Sequence, residues 1–298
     1  MEPYNRFLGR LSLPRMLWVS LSLTAKNLQV LLPLVLLFSL PVDLVSDWVT
    51  GYIAKTSDTR TVMLLCVQLI LFSIFSDIGY IAIAWEVREI IEGETPSVSK
   101  ALSALMGGAL VRLFATMLYS GWRILWPLFV YVAVAVPFAM FFIPDPGVFL
   151  ILYALGFLAC LPFLVWNGLN YTLLIFPTLF EHQSFSAAAR RSKLLVSGRR
   201  MWLFLVFMGQ GVLGTAVCLA FTALLPHLMK WPEGDPHQVT GLFRSIYDSI
   251  ASSLVMAVIV VLDTLIYFRL RREKNDLTFF DLSSTAVLPP AREFEEAT

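Results

Sequence analysis

Six long apolar runs, separated by short polar stretches, organise this chain: 28–48, 61–85, 118–143, 147–169, 201–226 and 249–268. Each supplies the roughly 20 residues a helix needs to cross the hydrocarbon core of a bilayer. Runs this long cannot all be hidden inside a soluble core. The pattern therefore predicts an all-α polytopic membrane protein, a bundle of six spans in three hairpins.

The polar stretches on one side share a second rhythm. Ser12-Leu13-Pro14-Arg15-Met16-Leu17, Ser97-Val98-Ser99-Lys100-Ala101-Leu102 and Ser184-Phe185-Ser186-Ala187-Ala188-Ala189-Arg190-Arg191 recur at nearly equal spacing. A serine hydroxyl can satisfy an orphan N–H in the first turn of a helix, so each serine reads as an N-cap. Each then opens an amphipathic helix of roughly 12–15 residues, rich in basic side chains and suited to a headgroup plane. Fifteen residues after each serine stands a polar residue: Asn27, Arg112 or Arg199. The organisation expected is one transmembrane domain over 1–274, with pseudo-repeats at about 12–96, 97–183 and 184–270 and a pseudo-threefold or ring-like bundle. The tail 275–298, with Pro289-Pro290 and the acidic Glu293, Glu295 and Glu296, reads as disordered.

Charge supplies the orientation. The N-terminal segment holds Arg6, Arg10, Arg15 and Lys26, and the second connection holds Arg88, Lys100, Arg112 and Arg123. Arg190, Arg191, Lys193, Arg199 and Arg200 lie in the fourth connection, and Arg269, Arg271, Arg272, Lys274 and Arg292 lie in the tail. Of the 22 basic residues, only Lys55, Arg60, Lys230 and Arg244 fall on the other side. Basic loops stay in the cytoplasm, so both termini are expected there. A net charge of +1 conceals this asymmetry. Trp85, Trp122, Trp126 and Trp202 near inner span ends, and Trp48 near an outer end, fit an aromatic belt. The apolar part of the N-terminus, Met16 to Ala25, is short and lacks a cleavage site, so no signal peptide is expected. Composition agrees: 58% hydrophobic and 14% charged, against about 45–50% and 25% in soluble domains. The three cysteines, Cys66, Cys160 and Cys218, all lie within spans and read as inert thiols.

Ionisable groups inside a membrane are costly and hence candidates for function. Asp77 lies nine residues before Glu86, about 13 Å along a helix from that cytoplasmic end, and Asp263 lies six before Arg269, about 9 Å. Asn167 and Asn170 occupy the matching part of the fourth span, with Gln68 and Gln210 elsewhere. One reading makes Asp77, Asn167, Asn170 and Asp263 a polar cluster facing the cytoplasm, able to bind or relay a solute. The other makes them hydrogen-bonding glue between helices. Pro127, Pro137 and Pro162 interrupt spans three and four. His227, Glu233, Asp235 and His237 share the longest external loop, but their spacing fits no recognised metal site. No P-loop, G-x-G-x-x-G, H-E-x-x-H or G-x-S-x-G occurs, so neither cofactor nor catalytic residue is expected.

Phe176 to Phe204, containing Pro177, Glu181, Ala189, Arg190, Arg191, Ser192, Gly198 and Arg199, resembles the bacterial glycerophosphoryl diester phosphodiesterase membrane-domain superfamily and related six-span inner-membrane proteins. Gly93-Glu94 before Ser97, and the ending Leu265-Ile266-Tyr267-Phe268-Arg269-Leu270-Arg271, resemble the same group. The resemblance implies a membrane part alone. Phosphodiesterase activity in that family belongs to a separate soluble barrel, for which this chain has no room. The function expected is non-enzymatic: organising lipid or a partner protein through the cytoplasmic helices. Arg190, Arg191, Lys193, Arg199 and Arg200 are the candidate contacts to anionic lipid, and no nucleic acid is involved. A partner membrane protein or a second copy of the chain is also compatible. The rival is a transporter or channel component using the polar centre around Asp77 and Asp263.

Overall fold

The computed structural model describes residues 12–53, 59–142, 146–228 and 239–274. These are almost wholly helical, and no strand occurs among them. The order is α1 (Leu13–Lys26), α2 (Leu28–Ile53), α3 (Thr59–Glu92), α4 (Val98–Ala104), a π-helical turn (Leu105–Ala109), α5 (Leu110–Phe142), α6 (Pro146–Tyr171), α7 (Ile175–Phe180), α8 (Phe185–Val196), α9 (Arg200–Leu228) and α10 (Val239–Glu273). Among the described residues five helices are long and apolar enough to cross a membrane, namely α2, α5, α6, α9 and α10. The loop 229–238, and with it Glu233, Asp235 and His237, lies outside the described residues, as does the tail.

Ser12, Ser97 and Ser184 each occupy the N-cap, in extended conformation, of α1, α4 and α8. None of their hydroxyls makes the expected capping bond. At two of the three, another helix takes that part. The Ser97 N–H donates to Glu86 Oε2 of α3 at 2.9 Å, and the Phe185 N–H that opens α8 donates to Thr116 Oγ1 of α5 at 3.2 Å. Capping here is tertiary.

The short helices are unequal. α1 has 14 residues and α8 has 12, within the expected range, but α4 has only 7. Gly108, at φ +82°, turns the chain inside the π-helical stretch. That left-handed conformation is costly for any residue with a Cβ, and it cuts the middle helix short. Gly93 (φ +87°) closes α3, with Glu94 N–H donating to Glu89 O and Gly93 N–H to Ile90 O. This is the reciprocal pair of bonds that satisfies carbonyls at a helix end. Pro127 and Pro137 lie inside α5, Pro162 inside α6, and Pro33 and Pro41 inside α2, yet all three helices run on through them. Membrane helices tolerate proline because neighbouring groups take up the freed carbonyl.

Packing is centred on α10. It contacts α1, α2, α3, α8 and α9, and its residues Val260, Val261, Leu262, Leu265, Ile266 and Tyr267 are buried. α2 packs along α3 and α5 along α6. The face of α5 is instead exposed along its length, through Val111, Leu118, Trp122, Trp126 and Val134. A ring of equivalent hairpins would bury each pair alike. Here one helix is the hub and the α5–α6 pair sits at the edge.

Candidate functional site

α10 carries a polar line along an otherwise apolar helix. Ser249 and Ser253 reach α2, Asp263 reaches α3 and α9, and Tyr267 and Arg271 reach Glu181. Ser249 Oγ donates to Asp43 Oδ2 of α2 at 2.6 Å, and Ser253 shares a 2.9 Å hydrogen bond with Ser39. The Val258 carbonyl accepts from Ser20 of α1 at 2.8 Å. Asp263 accepts on both oxygens: Gln210 Nε2 of α9 donates to Oδ1 at 2.8 Å, and Tyr80 Oη of α3 donates to Oδ2 at 2.9 Å. A carboxylate with a donor on each oxygen ties three helices together.

One turn later along α10 the second centre begins. Residues four apart stand one above another on a helix face, so Asp263, Tyr267 and Arg271 form a column. Tyr267 and Arg271 converge on Glu181, in the bend between α7 and α8. Tyr267 Oη donates to Glu181 Oε1 at 2.6 Å. Arg191 Nε of α8 donates to Oε2 at 3.0 Å and its Nη2 to Oε1 at 3.3 Å. Gln183 Nε2 adds a bond at 3.1 Å, and Arg271 Nε lies 3.8 Å from Oε1. The side chains of Glu181, Arg271 and Arg191 are only 3%, 6% and 16% exposed, so one buried carboxylate faces two largely buried guanidiniums.

The bend that presents Glu181 has a local origin. α7 ends at Phe180, and His182 takes φ +53°, a conformation histidine tolerates better than most side chains. α7 itself is a buried plug. Phe176 stacks on Tyr267 with ring centres 5.0 Å apart, and Phe180 on Phe268 at 5.6 Å. Arg88 of α3 caps this stack, its guanidinium 5.6 Å from the Phe180 ring centre.

The residues singled out from the sequence fall into separate groups. Asp263 belongs to the Tyr80–Gln210 triad. Asp77 lies half-buried on α3, one turn before Tyr80, and makes no hydrogen bond among the described residues. Asn170 bonds elsewhere: its Oδ1 accepts from Arg200 Nε at 2.9 Å and its carbonyl from Ser192 Oγ at 2.8 Å. Asn167 is half-buried on α6. The hydrogen bonds therefore do not join these four into one cluster. Among the five basic candidates, Arg191 is committed to Glu181, and Arg200 to Asn170 and the Trp166 ring 4.4 Å away. Arg190 and Lys193 are exposed on α8, and Arg199 pairs with Glu273 at 3.4 Å.

Sequence reading missed several participants. Asp43 lies within the first apolar run, and its position alone marked it as a third intramembrane acid. Tyr80 and Tyr267 gave no signal, since tyrosine is ordinary in membrane helices. Glu86 stands one residue past the second run and is fully buried. Burial pushes its carboxyl up to about 7, against the lowering effect of the Ser97 N–H and with a smaller upward push from Glu89. Its Oε1 and Oε2 of Glu89 have no hydrogen-bond partner among the described residues.

No family model, no curated protein and no solved structure matches this chain.

Proposed function

We propose that this chain is a non-enzymatic six-span membrane protein, with α3 supplying the sixth crossing and both termini in the cytoplasm. It organises lipid, or a partner, through the three short helices on its cytoplasmic face. The observation that carries this reading is the outer face of those helices. α8 buries Ala188, Ala189, Ser192, Leu195 and Val196 against the bundle and exposes Phe185 and Leu194 beside Arg190 and Lys193. α1 exposes Trp18 and Leu21, with Arg15 also exposed, and the α4 segment exposes Met106 beyond an exposed Lys100. Large apolar side chains beside basic ones suit the boundary between headgroups and acyl chains. Near an anionic surface each added basic residue contributes about 1 kcal/mol of attraction. The doubly satisfied carboxylate of Asp263 supports packing, rather than solute passage, as the role of that acid.

The test is made on the full chain reconstituted in bilayer discs of mixed anionic and zwitterionic phospholipid. Wild-type protein should enrich anionic lipid in its annulus, and R190E/K193E should lose much of that enrichment. Equal enrichment in both proteins would overturn the reading. Orientation is checked in the same protein with its native cysteines removed. Cysteines placed at Ser57 and Gly234 should react with an impermeant thiol reagent from outside, and one at the exposed Arg190 should not. Ser192 is unsuitable as that probe, because it is buried against Asn170.

A further inference from the structure

α1, α9 and α10 enclose a cavity of about 320 Å³. Leu13, Leu17 and Leu21 form one face of α1 at intervals of four and supply one wall. α9 supplies a second from Leu205 to Val217, and α10 the third from Leu254 to Leu262. Of the lining residues only Gln210 has a polar side chain, and its amide is already held by Asp263 at 2.8 Å. The lining is almost wholly apolar, with Gln210 its one polar side chain, and such spaces accept apolar ligands. It also opens outward, since Leu21, Leu205 and Leu213 are each about half exposed or more.

We infer that this crevice seats one acyl chain of an anionic phospholipid from the cytoplasmic leaflet. This rests on the membrane orientation proposed above and names a site the short helices do not by themselves imply. Length is the first argument. Leu205 to Val217 covers about 18 Å of helix, close to the roughly 15 Å that one leaflet contributes to the hydrocarbon core. Charge at one end is the second. Arg269 lies over the Trp202 ring at 5.2 Å, and Trp202 is one turn before Leu205. The same guanidinium reaches Met16 of α1 at 3.5 Å, between crevice residues Leu13 and Leu17. Arg269 thus bridges the two walls at the cytoplasmic mouth. Arg199, Arg272 and Lys274 stand at the same end of α9 and α10, where among the described residues of these two helices Glu273 is the one carboxylate, 3.0 Å from Arg269 and 3.4 Å from Arg199. An apolar slot of one-leaflet length with an excess of cations at its inner end matches a phospholipid chain and its phosphate.

Gly209 provides the test, because a Cβ built there meets nothing within 4 Å. A larger side chain at that position enters open space and shortens the slot. The probe is phosphatidylglycerol carrying a photoreactive group near the end of one chain, incorporated with the full-length protein in discs of zwitterionic lipid. Wild-type protein should be labelled at crevice residues of α1, α9 and α10 well above the exposed face of α5, and excess unlabelled phosphatidylglycerol should compete. G209L should reduce crevice labelling about fivefold with an unchanged melting temperature, and L213W serves as an independent blocking variant if G209L melts early. R199Q/R269Q should abolish the preference for phosphatidylglycerol over an equivalent phosphatidylcholine probe. R190E/K193E, which tests the annular reading, should leave crevice labelling unchanged. Labelling spread evenly over α5 and the crevice, or unaltered by both G209L and L213W, would overturn the inference while leaving annular enrichment standing.

Discussion

Glu181 to Gln is the substitution with the clearest expected cost. The change keeps shape and some hydrogen bonding but removes the carboxylate that faces two largely buried guanidiniums, Arg191 and Arg271. Losing one partner of a buried ion pair costs about 3–5 kcal/mol, mostly because the remaining charge is left uncompensated in a poorly solvated site. Side-chain exposures of 3%, 6% and 16% place this group in that regime and not in the surface one. Tyr267, whose hydroxyl donates to the same carboxylate at 2.6 Å, adds a weakened bond. Reversible unfolding of the purified protein in mixed micelles, followed by tryptophan fluorescence and circular dichroism, reads the loss. Q183A, which removes a single bond at 3.1 Å from a half-buried amide, is the control and should cost only about 1 kcal/mol. R191M should also destabilise, and E181Q/R191M should lose less than the sum of the single changes by at least about 1 kcal/mol, as contacting partners do. A loss below about 1 kcal/mol for E181Q, or strict additivity in the cycle, would refute the argument that this ion pair holds α7, α8 and α10 together.

Three further outcomes follow from the same geometry. D263N keeps one acceptor for Tyr80 or Gln210 and should destabilise by about 1 kcal/mol, the range of a hydrogen bond between membrane helices, and Y80F should do likewise; wild-type unfolding of both would remove the triad as a tether. Glu86, raised from 4.5 to about 7, binds its proton more tightly folded than unfolded, so stability should fall as pH rises through that window. E86Q should flatten the profile between pH 5 and pH 8, and an unchanged slope would count against the assignment. G198V forces a branched residue to φ +81° at the joint between α8 and α9 and should cost about 1–2 kcal/mol in the same unfolding assay.

Local features were legible because local forces decide them. Apolar runs of membrane length became helices, and the three serines stand where α1, α4 and α8 begin, since extended backbone at a serine is enough to open a helix. The groups that satisfy the first N–H bonds were not legible. Glu86 lies 11 residues before Ser97, and Thr116 lies 69 before Phe185. Only the fold brings them there. The same holds for Asp263, whose partners are 183 and 53 residues away, and for Glu181, which meets Tyr267 across 86.

By itself the amino-acid sequence determined that the protein is helical and membrane-spanning in character, where its short helices start, and which connections are rich in positive charge. Length, hydropathy and charge are additive along a chain, so no partner is needed to read them. Tertiary structure decided that α10 is the hub, that α5 and α6 lie at the edge, and which arginines turn inward. Lipid tails are as apolar as leucine, so hydrophobicity cannot tell a buried face of a span from a lipid-facing one. That choice falls to close packing and to a few hydrogen bonds, and both depend on residues that meet only when the helices do.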